Sequence, residues 1–449
     1  MGNGNREQWA SRFGFILAAA GSAVGLGNIW RFSYVAGDQG GAAFVLIYLI
    51  AIILIGYPLM VTEIAIGRKT QQSPIGAFKS LAPDTPWWLT GALGVLAAFV
   101  ILSFYSVVAG WSLAYTFKAI GGFVPGLDYE TIFVEHITDV FAPIFWHALF
   151  MILTLLVITA GVVKGIQRWA KILMPMLFVI LIALVLRGLT LEGASAGVSF
   201  YLSPDFGEIT GETFLTALGQ AFFTLSLGMG VLITYGSYLP KRENVSDSAG
   251  WVIGMDTMVA LLAGFAIFPA VFSLGFDPAG GVGLAFITLP AVFAEMPWGG
   301  FFGFLFFLLL SIAALTSAFS LLEVVVAWLI DEKGWDRIKA SLLVGFIIFL
   351  LGLPPTLGYS LLSHVNILGM DILDTYDFIS GNILLPLGGL LTSIFAGYVW
   401  KSKNVIAEAN NPKGKIIFGE WYGYIIQYLL PLAIGAVLIW GIVDTFFLS

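Results

Sequence analysis

The sequence contains no cysteine among its 449 residues, which excludes disulfide bonds, thiolate metal sites and thiol catalysis. Histidine is almost as scarce, because the three in the chain, His136, His147 and His364, lie far apart. Charged residues make up only 10% of the chain, and no basic run points to a nucleic-acid partner. Any bound cation is therefore expected to be held by oxygen atoms.

What the sequence has in abundance is apolar surface: 59% of the residues are hydrophobic, with 38 phenylalanines and 14 tryptophans. This composition is typical of a protein that crosses the lipid bilayer many times. A helix needs roughly 20 apolar residues to span about 30 Å of hydrocarbon. The apolar runs predict eleven spans, numbered 1 to 11 in chain order: 12–36, 42–67, 89–117, 144–163, 168–187, 214–238, 249–274, 299–330, 340–355, 375–400 and 421–446.

The lysines and arginines indicate the orientation of these spans. Most of the 20 basic residues lie in the N-terminal tail or in the connections that follow even-numbered spans. Basic connections face the cytoplasm in most membrane proteins. We therefore expect a multi-pass protein of the cell membrane with a cytoplasmic N-terminus and, because eleven is odd, an extracellular C-terminus.

Two spans carry glycine pairs that weaken a helix at mid-membrane. Residues 24–28 read VGLGN in span 1, and residues 227–231 read LGMGV in span 6. Each glycine costs roughly 1 kcal/mol of helix propensity relative to alanine. Interrupted spans at corresponding places in two halves of five indicate a transporter built from inverted repeats. The alternative is close packing of small residues between helices, which Gly21 and Gly25 also satisfy.

A broken helix has free backbone groups that can hold a ligand. Its carbonyls can coordinate a cation, and the new helix N-terminus favours a carboxylate. Polar side chains that can complete such a site occur in four spans: Asn28, Gln220, Thr224, Ser226, Asp256, Thr316 and Ser317. These hard oxygen ligands suit a cation such as sodium and disfavour zinc or copper. For any one serine or threonine the alternative is a hydroxyl bonded to its own helix, whereas a carboxylate within the membrane, as at Asp256, indicates function.

Three segments carry a specific resemblance. REQWASRFGFILAAAGSAVGLGNIWRF (6–32), GQAFFTLSLGMGVLITYGSY (219–238) and ALTSAFS (314–320) resemble the first, sixth and eighth helices of the neurotransmitter/sodium symporter family. The likeness covers essentially the whole chain and is strongest to bacterial amino-acid members with eleven helices. It implies a transporter and not an enzyme.

The fold that this resemblance implies is an all-α polytopic membrane protein with the leucine-transporter fold. It consists of a 5+5 inverted repeat with discontinuous helices 1 and 6, plus an eleventh helix. The expected parts are a cytoplasmic N-terminal tail, two repeats, and a cytoplasmic loop with helix 11, at residues 1–11, 12–190, 191–402 and 403–449, respectively.

The resemblance further implies two sodium sites. The first would be completed by the carboxylate of the substrate and formed by Ala23, Asn28, Thr224 and Asp256. The second would use three backbone carbonyls and two hydroxyls, from Gly21, Val24, Ala313, Thr316 and Ser317. A sodium ion that shares an oxygen with the substrate binds better when the substrate is present, and the converse must hold as well.

The substrate site that the resemblance implies has Tyr105 at the substrate carboxylate and Phe223 as an aromatic lid. Its other residues would be Ala23, Gly27, Ile101, Thr224, Ser226, Met229, Ser317 and Leu321. The gates would be an outer pair, Arg31 with Asp377, and an inner pair, Arg6 with Asp331, flanked by Trp9 and Tyr238. Gly25 stands where transporters of amines have an acid, which favours an amino-acid substrate.

We therefore expect sodium-coupled symport of neutral hydrophobic L-amino acids, aliphatic and aromatic, by alternating access. Chloride should not be needed, because Asp256 supplies the negative charge that chloride-dependent relatives take from the anion. A sodium-dependent sensor or channel of the same fold stays open as an alternative. An intramembrane hydrolase is more remote: GASAG (193–197) matches G-x-S-x-G, but Ser195 would need a strand-turn-helix setting and a histidine partner. The sequence does not determine the oligomeric state.

Overall fold

The computed structural model describes residues 7–278, 281, 283–443, 445 and 446, and in these the regular secondary structure is helical. The helices in chain order are α1 Arg12–Ala23, α2 Gly27–Asp38, α3 Ala42–Thr70, α4 Pro74–Leu81, α5 Trp88–Ile120, α6 Tyr129–Thr138, α7 Phe141–Thr159, α8 Val162–Leu189, α9 Ala194–Leu202, α10 Gly211–Thr224, α11 Val231–Ser237, α12 Val245–Ser273, α13 Leu284–Glu295, α14 Gly299–Lys333, α15 Arg337–Leu357, α16 Ile372–Val399, α17 Ser402–Ala409 and α18 Glu420–Val443.

The helices reproduce the predicted spans. In the described part of the chain nine helices are long and apolar enough to cross a membrane: α3, α5, α7, α8, α12, α14, α15, α16 and α18. Span 1 consists of α1 and α2, which meet at an angle of 55°. Span 6 consists of α10 and α11, which are separated by residues 225–230. The protein is therefore an all-α polytopic membrane protein in which helices 1 and 6 are discontinuous, as predicted.

The first break begins where α1 ends at Ala23. Ser11 caps the other end of this helix, because its hydroxyl accepts a hydrogen bond from the amide of Gly14 at 3.1 Å. At the break, the amide of Gly25 donates to Oδ1 of Asn28 at 3.0 Å. The asparagine of the VGLGN motif thus satisfies a backbone group that the interruption leaves without a helical partner.

The second break needs glycine for steric reasons. Ser226, Gly228 and Gly230 have positive φ angles of 54°, 79° and 73°. A Cβ atom on Gly228 would lie 2.3 Å from the carbonyl oxygen of Leu385 in α16, so any larger residue would push the two segments apart. The amide of Gly228 donates to Oε1 of the buried Glu63 at 2.8 Å, which satisfies one backbone group at this break.

Packing places both breaks in the interior of the bundle. Helix α1 packs against α8, α12 and α14, whereas α10 and α11 lie along α3. The most extensive contact between two helices joins α5 to α14. The breaks therefore face the two helices that carry Tyr105 and the Thr316–Ser317 pair.

Candidate functional site

A narrow cavity lies between the two breaks and the α5–α14 pair. Its lining consists of Ser22, Ala23, Gly25, Gly27, Ile101, Tyr105, Phe223, Thr224, Ser226, Met229, Ser317, Ser320 and Leu321. All ten residues predicted for the substrate site are in this lining. Sequence reasoning missed Ser22, Gly25 and Ser320 as lining residues, although the first two lie within the interrupted segment and Ser320 belongs to the ALTSAFS motif.

One end of the cavity is formed by Tyr105 and the backbone of the first break. The Tyr105 hydroxyl accepts a hydrogen bond from the amide of Leu26 at 3.2 Å and also interacts with the hydroxyl of Ser317. A Cβ atom on Gly25 would lie 2.8 Å from this hydroxyl and 2.6 Å from Oγ of Ser317. Tyr105 and Ser317 thus pack so closely on Gly25 that a larger residue at this position would displace them.

The aromatic ring of Phe223 lies between this cavity and the space above it. A Cβ atom on Gly27 would be 3.0 Å from the ring, so the ring packs closely on the start of α2. The guanidinium carbon of Arg31, which does not line this cavity, lies 4.9 Å from the centroid of the Phe223 ring. Phe223 also lines a second cavity of about 660 Å³ that contains Arg31 and Asp377.

The residues predicted for the first sodium site meet in the interior. Nδ2 of Asn28 donates to Oδ1 of Asp256 at 2.7 Å, and both residues are fully buried. Oδ2 of Asp256 and Oγ1 of Thr224 are also buried, and neither has a hydrogen-bond partner in the described chain. Leaving buried polar atoms unpaired costs about 1 to 3 kcal/mol each. A cation bound between them would remove this cost, so the donor set fits a sodium ion.

The residues predicted for the second sodium site meet where α1 ends against α14. Oγ of Ser317 donates to the carbonyl oxygen of Val24 at 3.2 Å, and Oγ1 of Thr316 donates to that of Ala313 at 3.0 Å. A Cβ atom on Gly21 would lie 3.3 Å from Cβ of Thr316. Thr316 thus bonds to its own helix, as the alternative interpretation predicts, whereas Ser317 bonds across to the first break.

The outer gate residues face the same cavity without forming the predicted ion pair. Among the described residues no contact within 4.0 Å joins Arg31 to Asp377. Nη1 of Arg31 donates instead to Oε1 of Gln220 at 3.3 Å. Because this amide and the Phe223 ring hold the guanidinium, the Asp377 carboxylate stays across the cavity in this conformation.

At the opposite end of the bundle, Trp9 is tied to α11. Its indole nitrogen donates to the carbonyl of Tyr235 at 2.9 Å, and its amide donates to that of Tyr238 at 3.0 Å. Oδ2 of Asp331 accepts a hydrogen bond from the amide of Ser73 at 2.6 Å. Arg6, the predicted partner of Asp331, lies outside the described residues.

A buried acid at this end escaped the sequence reasoning. The hydroxyl of Tyr238 donates to Oε1 of Glu323 at 2.7 Å. Arg337 forms a two-pronged ion pair with the same carboxylate, with Nη1 to Oε2 at 2.8 Å and Nη2 to Oε1 at 2.9 Å. Glu323 is fully buried. The signal in the sequence was the acid itself, because an ionisable residue inside an apolar span is rarely without a partner.

The serine of the GASAG segment has no catalytic setting. Ser195 is exposed near the start of α9, and no strand precedes it in the described chain. The strand-turn-helix arrangement that a nucleophile of this motif requires is therefore missing.

Comparison with known proteins gives consistent results. The model of the sodium:neurotransmitter symporter family matches residues 6–134 and 134–447. YhdH, a sodium-dependent transporter of Bacillus subtilis, is 48% identical over 432 residues, which cover 95% of this chain and 96% of that protein. A sodium-dependent transporter of Methanocaldococcus jannaschii is 34% identical over 453 residues, covering 96% of this chain and 89% of the relative.

Among solved structures, the chain is similar to the crystal structure of MhsT in complex with L-phenylalanine. The two share 48% sequence identity and superpose with a TM-score of 0.90, over 99% of this chain and 100% of MhsT. The similarity extends over both broken helices, so the two proteins share the leucine-transporter fold.

Proposed function

Because this chain belongs to the sodium:neurotransmitter symporter family, and is thus a sodium-dependent transporter and not an enzyme, we propose that it carries neutral hydrophobic L-amino acids into the cell together with sodium. The observation that carries this proposal is the apposition of the cavity between the two breaks with the buried oxygens of Asp256 and Thr224. The phenylalanine bound to MhsT supports a hydrophobic amino acid as the substrate here.

The substrate would bind with its carboxylate at the Tyr105 hydroxyl and its side chain among apolar residues. The Tyr105 hydroxyl can donate to a carboxylate, and no acid is among the described residues that line the cavity, where it would attract the ammonium group of an amine lacking a carboxylate. The apolar lining includes Ile101, Met229 and Leu321. The unbranched Met229 can adapt to side chains of different shape, so we expect both aliphatic and aromatic substrates.

Two sodium ions would accompany the substrate. The first would bind to Asp256, Asn28, Thr224 and the carbonyl of Ala23, with the substrate carboxylate as its last ligand. The second would bind to the hydroxyls of Thr316 and Ser317 and to the carbonyls of Gly21, Val24 and Ala313. Since the first ion and the substrate share an oxygen, each raises the affinity for the other, and this linkage is what couples the two fluxes.

Transport would proceed by relative movement of the two repeats, which we assign to residues 12–190 and 191–402. Arg31 and Asp377 would close the outer side, and Trp9, Tyr238 and Asp331 would close the inner side together with Arg6. We propose a cytoplasmic N-terminal tail (1–11) and an extracellular C-terminus after the loop and helix of 403–449. Exposed ion pairs contribute only about 0 to 1 kcal/mol, which suits gates that must open in every cycle.

The test is uptake of labelled leucine, phenylalanine and tryptophan by proteoliposomes. An inward sodium gradient should drive accumulation, and the same gradient of potassium should not. Asp256→Ala should abolish accumulation, whereas Asp84→Asn, a change at an exposed loop acid, should not. Uptake of glycine or GABA without uptake of the three hydrophobic amino acids would contradict the proposed specificity.

The same preparation separates the alternatives of the same fold. A sensor would bind substrate in a sodium-dependent manner without accumulating it. A channel would give a flux that does not saturate and has no fixed ratio of sodium to substrate. Saturable uptake with a fixed ratio supports a symporter.

A further inference from the structure

Two serines that line the cavity, Ser22 at the end of α1 and Ser320 in α14, form a hydrogen-bonded pair. Oγ of Ser22 donates to Oγ of Ser320 at 2.6 Å, and Oγ of Ser320 donates to the carbonyl oxygen of Ser317 at 2.7 Å. Each side chain is 1% exposed. A carbonyl can only accept, so the proton of Ser320 is committed to Ser317 and the proton of Ser22 to Ser320.

The other two serines of the cavity also donate their hydroxyl protons to acceptors within the protein. Oγ of Ser226 donates to the carbonyl of Ser22 at 3.1 Å, and Oγ of Ser317 donates to the same carbonyl at 3.0 Å. A hydroxyl has one proton and two acceptor lone pairs. Every serine hydroxyl in this cavity therefore uses its proton within the protein and has only lone pairs left for a ligand.

The hydroxyls of the cavity thus differ in the hydrogen bonds that they can make. Tyr105 is a hydroxyl donor that contacts Ser317 and the backbone of the first break. The Ser22–Ser320 pair offers acceptors in the same lining, and Ser226 is bonded to the backbone of Ser22. The Tyr235 hydroxyl, which is outside the cavity lining, lies next to Ser320. It can donate a hydrogen bond to the remaining lone pair of Ser320. Oγ of Ser22, with two lone pairs, is then the principal acceptor for a ligand.

We propose that the Ser22–Ser320 pair is a specificity site that accepts a hydrogen bond from an N–H or O–H group on the substrate side chain. This inference rests on the proposed function, and among the proposed substrates it favours hydrophobic amino acids with a donor on an aromatic ring, of which the indole of tryptophan is the natural example. A side chain of the same shape without a donor leaves the lone pairs of Ser22 unpaired. A side chain that has only acceptors would place its lone pairs against those of Ser22, and we expect it to bind most weakly.

The experiment compares tryptophan with 3-(3-benzothienyl)alanine, in which sulfur replaces the indole N–H with little change of shape. Sodium-dependent binding of both is measured on the purified full-length protein by calorimetry or scintillation proximity. In the wild type, tryptophan should bind roughly 3- to 10-fold more tightly, the usual effect of one hydrogen bond. In Ser22→Ala the ratio of the two affinities should fall towards one.

Ser320→Ala gives an independent readout. Removing this acceptor releases the Ser22 hydroxyl from the bond that fixes its orientation, so its lone pairs are no longer held towards a ligand and the preference for tryptophan over the thienyl analogue should also shrink. The matched control is Ser393→Ala, because Ser393 is a buried serine that donates to its own helix at Leu390 and does not line the cavity. This variant should keep the ratio of the wild type.

Equal affinities in the wild type, or a ratio that both serine variants retain, would overturn the specificity site and leave the proposed function intact if phenylalanine still binds in a sodium-dependent manner. Binding of phenylalanine without any binding of tryptophan would also overturn it. Failure of leucine, phenylalanine and tryptophan alike to bind with sodium would instead overturn the proposed function on which the inference rests.

Discussion

Asn28 and Asp256 join the first break to α12, with Nδ2 of Asn28 2.7 Å from Oδ1 of Asp256. The asparagine uses its other polar atom, Oδ1, to accept the amide of Gly25. One side chain thus holds the broken backbone and orients the buried carboxylate. The second oxygen of that carboxylate, Oδ2, has no hydrogen-bond partner among the described residues. A cation bound there would supply the missing interaction.

Replacing Asp256 by asparagine should weaken the binding of sodium. The change keeps the shape of the side chain and removes the only formal charge that the protein contributes to the proposed ligands of the first ion. We expect the sodium concentration for half-maximal leucine binding to rise about 10-fold or more, which corresponds to roughly 1.4 kcal/mol. A sodium titration of the variant beside Asp84→Asn measures this effect, and an unchanged midpoint would rule Asp256 out as a ligand.

Transport should not depend on chloride. The side-chain amide of Gln220 already donates to the carbonyl of Gly27 at 2.8 Å, and its oxygen accepts from Arg31. The hydroxyls of Tyr48 and Thr224 are the remaining buried donors near Asp256 in the described chain, and they lie next to each other. With few donors for an anion and a fixed carboxylate in place, replacing chloride by gluconate should leave the initial rate of uptake unchanged. Loss of uptake in gluconate would contradict this prediction.

The buried ion pair of Glu323 and Arg337 should matter more for stability than a surface pair on the same helix. Breaking a buried pair leaves an uncompensated charge, which typically costs 3 to 5 kcal/mol. We expect Glu323→Gln to lower the midpoint of thermal unfolding by several degrees. Glu332→Gln is the control, because Glu332 pairs with the exposed Lys79 at 2.6 Å and such a contact contributes about 0 to 1 kcal/mol. Similar midpoints for the two variants would contradict the prediction.

His136, in the loop helix α6, should make the protein sensitive to acid. Burial, together with the nearby Lys118, lowers the pKa of His136 to about 4, whereas Asp139 acts in the opposite direction. The unfolded chain binds a proton near pH 6.5 and the folded chain does not, so stability is complete above that pH and falls as the pH drops from about 6.5 to 4.

At pH 5 the loss from His136 should amount to about 2 kcal/mol, from 1.36 kcal/mol for each pH unit below 6.5. His136→Gln should reduce the difference between the thermal midpoints at pH 7.5 and pH 5. His364→Gln, at an exposed histidine, should retain it. A pH dependence that is identical in His136→Gln and the wild type would show that another group is responsible.

The contacts that sequence reasoning could anticipate were those that depend on local chain chemistry. Glycine pairs in spans 1 and 6 predict interruptions because glycine weakens helices wherever it stands. The resemblance then supplied ten of the thirteen residues of the cavity lining. The Ser22–Ser320 and Glu323–Arg337 contacts were not predicted, because nothing in the spacing of a serine or an acid tells which neighbouring helix it will face.

The predicted ion pair of Arg31 and Asp377 shows the same limit for gates. Both residues line one cavity, yet the guanidinium is held by Gln220 and the ring of Phe223. The residue types alone do not determine the partner of an arginine. That partner depends on the conformation of the transporter.

The sequence by itself determined that this protein crosses the membrane many times and that two of the predicted spans break at glycine, since hydrophobic length and backbone propensity are local properties of the chain. Only the tertiary structure decided which oxygens remain unpaired at the centre and which hydroxyls turn their lone pairs to the cavity. Those outcomes depend on the packing of helices that are distant in sequence, because a hydrogen bond requires two groups to meet within about 3 Å.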